Sequence, residues 1–146
     1  MIISISDSAA EDLAYFQPQL TERIRRIHLY SGFNKNSTQI KPESVVRGDQ
    51  PYFLFVGNRG GYKNADMLIR AFAESGVSKE GIRLIFAGGG RLRKNELDII
   101  SINGIEDYVL QASINDAELW YLYQNTLGVV VPSLAEGFSL PLVEGL

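Results

Sequence analysis

The sequence predicts an α/β fold: a doubly wound parallel sheet with a short α/β appendage at its N-terminal side. Three observations predict it. Residues 52–56, 82–87, 108–111 and 127–131 are apolar runs of strand length with little alternation, the pattern of strands buried on both faces. The intervals between them carry apolar residues at helical spacing. Strands and helices in alternation give parallel sheets, and right-handed crossovers place helices on both sides.

Each element has its own signal. Residues 2–5 form a short β-type run, and Ser8-Ala9-Ala10-Glu11 fits a capping box opening a helix that Pro18 stops or kinks. Ile27-His28-Leu29-Tyr30 alternates like a short strand. The polar stretch 33–50 contains Asn-Lys-Asn-Ser-Thr, Lys41-Pro42-Glu43-Ser44 and Arg47-Gly48-Asp49. It reads as a linker dividing residues 1–32 from 51–146.

After Tyr52-Phe53-Leu54-Phe55-Val56, the residues Ala65, Leu68, Ile69 and Phe72 mark one helix face, with Asn64 as cap and Gly76 as stop. The strand 82–87 is followed by a helix through Leu92, Leu97 and Ile100 that Gly104 ends. The third strand, 108–111, leads to the capping box Asn115-Asp116-Ala117-Glu118 and a helix through Leu119, Leu122 and Tyr123. Pro141 suits the first turn of a last helix after the fourth strand. Only four strands and a short final helix are expected of a piece cut at both ends from a longer chain. A compact four-stranded domain with a frayed tail is the alternative.

Composition excludes several functions. Fourteen basic against seventeen acidic residues give a net charge of −3, a poor balance for binding nucleic acid. Without cysteine there is no disulfide framework, thiolate zinc site or thiol nucleophile. A cytoplasmic location is the expectation. No segment approaches the ~20 apolar residues that span a bilayer, so no transmembrane segment is expected in this chain. The opening run is too short for a signal-peptide core.

Ligands of open α/β sheets bind beyond the carboxyl ends of the strands, where strand order reverses. In the common order 3-2-1-4 the loops after Val56 and Val131 meet there. They are also the two most unusual loops of the chain. The first, Gly57-Asn58-Arg59-Gly60-Gly61-Tyr62-Lys63-Asn64, has three glycines and two cations. Lys63 lies just before a helix N-terminus, where the dipole disfavours a cation unless an anion binds between them. A flexible turn with two solvated cations fits as well. Neither a dinucleotide fingerprint nor a P-loop is present.

The second loop runs from Pro132-Ser133 to Glu144 and carries Glu136, Gly137, Phe138, Ser139, Leu140 and Pro141. Taken singly, Glu144 also fits an acid that stabilises a helix dipole by ~0.3–1 kcal/mol. Glu136 also fits a solvated loop carboxylate. Gly88-Gly89-Gly90-Arg91 reads as a tight strand-to-helix turn, and His28, the only histidine, reads as structural. The aromatic group Trp120, Tyr121 and Tyr123 reads as helix packing on the sheet. No His/Asp/Glu set has metal-ligand spacing.

Over residues 51–146 the chain resembles the retaining family 4 glycosyltransferases of the GT-B fold, whose donor domain is Rossmann-like. The resemblance rests on Val56-Gly57, Arg59, Lys63-Asn64, Pro132-Ser133 and the block Glu136-Gly137-Phe138-Ser139-Leu140-Pro141, with Glu144 eight positions after the first acid. More weakly, residues 5–8 and 27–32 look like the end of the acceptor domain and its crossover. The resemblance implies a donor site for a GDP-sugar or UDP-sugar, transfer with retention to a glycan, lipid or other acceptor, and no metal or other cofactor. Arg59 and Lys63 would grip the diphosphate as catalytic residues, with Glu136 on the sugar hydroxyls. Gly57 and the Gly137, Phe138, Ser139 and Leu140 segment would line the donor, Glu144 would hold the ribose, and Ser113 and Ile114 would lie near the base.

Two positions depart from the family pattern. Ser139 replaces a glycine, and Asn58 stands where many members have the arginine, so the cation role is assigned to Arg59. Most of the acceptor domain, with the usual catalytic histidine, is missing from this stretch, which alone is expected not to turn over. A sugar-nucleotide epimerase and a non-catalytic Rossmann-like regulatory module are the alternatives. The latter predicts that Arg59 and Lys63 point to solvent, away from Glu136.

Overall fold

The computed structural model describes residues 1–33 and 36–145. Asn34 and Lys35 of the polar stretch and the final Leu146 lie outside the described residues.

The appendage is a β–α–β unit. Strand β1 (Ile2–Ser4) leads into helix α1 (Asp7–Phe16), and a short turn of helix, Pro18–Arg23, returns the chain to β2 (Ile24–Arg26). The two strands pair in parallel, Ile2 opposite Ile24. Two expectations are corrected here. The helix is capped by Ser6, whose hydroxyl accepts from the Ala9 N–H at 3.1 Å, so Ser8 lies inside it. The strand is 24–26 and not 27–30, because pairing with β1 sets the register. The alternating residues beyond it are all exposed, Ile27 at 56%.

The main sheet has four strands: β3 (Tyr52–Val56), β4 (Arg83–Ala87), β5 (Val109–Ala112) and β6 (Gly128–Val129). Its order is β5-β4-β3-β6, every pair parallel. This is the expected 3-2-1-4 arrangement, with the order reversing between β3 and β6. The fourth strand is shorter than the apolar run, although the Val130 N–H still donates to the Leu54 carbonyl at 2.8 Å.

Side chains alternate between two cores. Phe55, Leu84 and Phe86 pack against α2 (Ala65–Ser75) and α3 (Lys94–Ile102) through Ala65, Leu68, Ile69, Phe72, Ile99 and Ile100. Tyr52, Leu54, Ile85 and Ala87 pack on the other face against Trp120, Leu122 and Tyr123 of α4 (Asp116–Asn125). Full burial of each of the Leu, Ile and Phe side chains contributes about 1.5–3 kcal/mol. Both faces are covered, which is why the strand sequences do not alternate.

The α2 face is the one expected, and Gly76 ends that helix in the left-handed region at φ 72. Asn64 stands at the cap position but is itself left-handed, and its side chain makes no capping bond. In α3, Leu97 is exposed at 49% and the buried face is Glu96, Ile99 and Ile100. The stretch read as a linker covers the α4 face. Val45 and Val46 are buried in the second core, both of their N–H groups donate to the Pro42 carbonyl, and the Ile40 N–H donates to the Ala117 carbonyl. Among the described residues no helix is long and apolar enough to cross a membrane.

Candidate functional site

Because β3 and β6 are adjacent and parallel, the loops leaving their carboxyl ends run side by side. Three contacts stitch them together. The Leu134 N–H donates to the Tyr62 carbonyl at 2.8 Å, the Asn64 amide to the Pro132 carbonyl at 3.2 Å, and the Lys63 ammonium to Glu136 Oε1 at 2.6 Å. Asn64 is therefore a tie between loops, which accounts for its missing cap bond.

Lys63 ends a single helical turn, Gly61–Lys63, and lies 5.3 Å from the centre of the Tyr62 ring. Glu136 also accepts from the Ser133 hydroxyl at 2.6 Å. Burial raises the Glu136 pKa, but the bonds from Lys63 and Ser133 and the lysine's charge outweigh it, so the carboxyl sits below its ordinary value. It is ionised at neutral pH and holds Lys63 over the crevice.

The crevice itself is a cavity of about 470 Å³ lined by Val56, Gly57, Asn58, Tyr62, Lys63, Glu136, Gly137, Phe138, Ser139, Leu140, Pro141 and Glu144, with Ile5 and Leu29 of the appendage. Gly57 has φ 114, a conformation that lets backbone face a ligand without a Cβ. The last helix, α5 (Leu140–Glu144), carries Glu144. Its carboxylate accepts from the Tyr123 hydroxyl at 2.7 Å. Burial first, and then that carboxylate, push the Tyr123 phenol well above its ordinary value, so it stays a donor.

A second cavity, of about 660 Å³, opens beside the first. Ser6, Asp7 and His28 of the appendage face Ser133, Glu136 and Phe138 across it. The His28 ring lies 6.3 Å from that of Phe138. His28 is therefore at an opening and not inside a strand.

The expectation that Arg59 faces the crevice with Lys63 is corrected. Arg59 is 2% exposed and turns away into the fold. Its Nε donates to both oxygens of Glu96, at 3.2 and 3.3 Å. Its Nη1 donates to the Gly88 carbonyl, and its Nη2 to the Gly90 and Arg91 carbonyls, at 2.7–2.8 Å. Glu96, with no exposure, is also bound by the Arg93 guanidinium, which in turn donates to the Arg59 carbonyl at 2.7 Å. The guanidinium is spent on this internal latch. Lys63 is the one cation among the described residues lining the cavity.

The glycine turn after β4 is part of the latch. A Cβ on Gly89 would stand 2.7 Å from the Gly57 carbonyl and 2.9 Å from Arg59 Nη1. What reads in sequence as a generic tight turn has, at Gly89, a position where a side chain would collide with the Gly57 carbonyl and the Arg59 guanidinium.

Ser113 and Ile114 follow β5 at the edge of the sheet. Ser113 is exposed, and Ile114 packs on the second core. Neither lines the crevice cavity. Three participants were not singled out from sequence, Tyr62, Glu96 and Arg93, and Tyr123, read as helix packing, also holds Glu144. Glu96 had a signal, an acid at the third position of a helix, but its arginine partner at the cap is not a capping residue type. Among the described residues no three His, Asp or Glu side chains cluster as a metal site would need.

The family model for glycosyl transferases group 1 matches residues 36–146. The O-antigen chain mannosyltransferase C of Escherichia coli is 30% identical over 96 residues, 64% of this chain and 24% of that protein. The chain spans 24–39% of the length of the curated relatives it matches. Two solved structures superpose with a TM-score of 0.75 over 98% of this chain: the lipopolysaccharide glycosyltransferase WaaG, at 21% identity and 40% of its length, and S. aureus TarM, at 15% and 27%. The TarM crystal contains UDP and alpha-GlcNAc-glycerol. At such identities the structures speak for the fold, a GT-B glycosyltransferase domain. The family match covers most of the sequence and both loops of the crevice, and the chain belongs to the group 1 glycosyltransferases.

Proposed function

We propose that this chain carries the donor site of a retaining transferase that uses a nucleotide-diphosphosugar, UDP- or GDP-linked. The observation that supports it most is the Lys63 ammonium held 2.6 Å from Glu136 across the crevice. A cation beside a glycine-lined backbone suits a diphosphate, and a carboxylate next to it suits the hydroxyls of a sugar. In the reaction, the bond between the anomeric carbon and the phosphate oxygen breaks with its electron pair leaving on the nucleoside diphosphate, while an acceptor hydroxyl oxygen bonds to the anomeric carbon and gives up its proton. Lys63 lies where that charge develops, and such stabilisation is often the largest catalytic term.

Glu136 exchanges its tie to Lys63 for the sugar hydroxyls, keeping the Ser133 bond. Glu144, fixed by Tyr123, accepts from the ribose. Residues 1–32 belong to the end of an acceptor domain, so that the second cavity faces the acceptor side. The E. coli relative's name, a mannosyltransferase, supports sugar transfer, and the UDP in the TarM crystal supports a nucleotide-sugar donor. A non-catalytic module would leave both Arg59 and Lys63 in solvent, away from Glu136; Arg59 is turned inward onto Glu96, and the Lys63–Glu136 contact is what favours the enzymatic reading.

Calorimetric titration of the full-length protein with UDP and with GDP at low salt tests this. One of the two is expected to bind, and Lys63→Ala to weaken it at least tenfold, the scale of one charge-assisted contact. Heat from neither nucleotide, or binding that Lys63→Ala leaves untouched, overturns the donor site. Product analysis with no acceptor present separates an epimerase, which needs none.

A further inference from the structure

Ser139 is the residue of the crevice whose conformation and hydrogen bonding are both unfavourable as they stand. Its backbone is left-handed, φ 57 and ψ 72, a region glycine enters freely and serine rarely. The residue is 8% exposed, and its Oγ is shut from solvent with no hydrogen-bond partner among the described residues. A buried hydroxyl left without a partner is destabilising, and strain of this kind gathers at ligand sites. A glycine would remove both costs.

Ser139 also stands between the two cavities. It lines the crevice with Gly57, Lys63 and Glu136, and the neighbouring opening with Ser133. The oxygen is enclosed as it stands and has no hydrogen bond to break, so a turn about the Cα–Cβ bond would be enough to present it to a ligand in the crevice. Glu136 already accepts from Lys63 and Ser133, so the nearby carboxylate is supplied with donors while Ser139 is a donor without an acceptor. A phosphate oxygen drawn in by Lys63 is the acceptor that completes the set.

We infer that the Ser139 hydroxyl donates to an oxygen of the donor's sugar-linked phosphate, so that the serine in place of glycine is a binding residue of this site. This rests on the donor site proposed above. It adds a side-chain contact that a glycine at position 139 could not make.

The test uses Ser139→Ala and Ser139→Gly in the full-length protein. Dissociation constants are measured by calorimetry for the nucleoside diphosphate that the wild type binds and for its monophosphate, together with thermal midpoints. Both variants are expected to weaken the diphosphate about tenfold or more and to leave the monophosphate nearly unchanged. Ser139→Gly, free of the backbone strain, is expected to melt higher than Ser139→Ala. Unchanged diphosphate binding in both variants overturns the inference. So does an equal loss for monophosphate and diphosphate, or a loss in Ser139→Ala alone. A wild type that binds neither UDP nor GDP overturns the donor site itself, a result distinct from the others.

Discussion

Replacing Glu96 by alanine is expected to lower the unfolding free energy by about 3–5 kcal/mol, the range for removing one partner of a buried ion pair. The carboxylate has no exposure and sits between two guanidinium groups, Arg59 and Arg93. Arg93 is half in water and can be solvated when the acid is gone. Arg59 cannot, because it is enclosed by the Gly88–Arg91 turn, three of whose carbonyls it holds. Urea unfolding of the Glu96→Ala variant measures the loss.

A paired change, Arg59→Met with Glu96→Leu, is expected to recover the ion-pair part of that loss, since apolar replacements of buried pairs are often neutral or better. The three carbonyls that Arg59 holds lose their donor in the paired variant, a new cost that keeps recovery incomplete. The pH dependence has a definite sign. Burial raises the Glu96 pKa, but the Arg93 hydrogen bonds and the charges of Arg59 and Arg93 lower it further, for a net fall below the ordinary 4.5. A depressed carboxylate stabilises the fold fully above its unfolded value, and the contribution is lost as pH falls through the folded value. Glu96→Gln is expected to flatten that acid limb.

Lys63→Ala has its large effect on chemistry and a small one on stability. Removing a group that stabilises charge in the transition state costs about 10²–10³ in kcat, and among the described residues no other cation lines the cavity to compensate. The loss is read from release of nucleoside diphosphate from the donor by the full-length protein. Stability changes by about 1 kcal/mol, because the pair is one-fifth exposed and Glu136 keeps the Ser133 hydroxyl. The two variants thus separate the roles of the two cations of the glycine loop. One builds the loop, and the other faces out of it.

That separation was not legible in the sequence. A cation in a glycine-rich loop has the same local pattern whether it meets an anion outside or an acid inside the fold. Only Glu96, thirty-seven positions away, decides, and nothing local announces an arginine at its helix cap. The meeting of Lys63 with Glu136 was legible for a different reason. Apolar runs without alternation identify the strands, parallel order follows from the helices between them, and the reversal point brings the loops after β3 and β6 together.

The appendage was read less well. Ser6 and Ser8 both fit a cap, and the Ser6 hydroxyl on the Ala9 N–H settles which is used. Its second strand contains two arginines, Ile24–Arg26, because a two-stranded sheet this small buries little and leaves pattern weakly constrained. Val45 and Val46 lie in a polar stretch, where two apolar residues give no period, yet they cover a sheet face that α4 alone leaves open.

The most direct measurement is a crystal structure of the full-length protein with UDP or GDP bound. The diphosphate is expected between Gly57 and the Gly137–Ser139 backbone, with the Lys63 ammonium within about 2.7–3.2 Å of a phosphate oxygen and Glu136 released toward the sugar pocket. A nucleotide bound elsewhere on the molecule, with Lys63 and Glu136 still joined at 2.6 Å, would contradict the account.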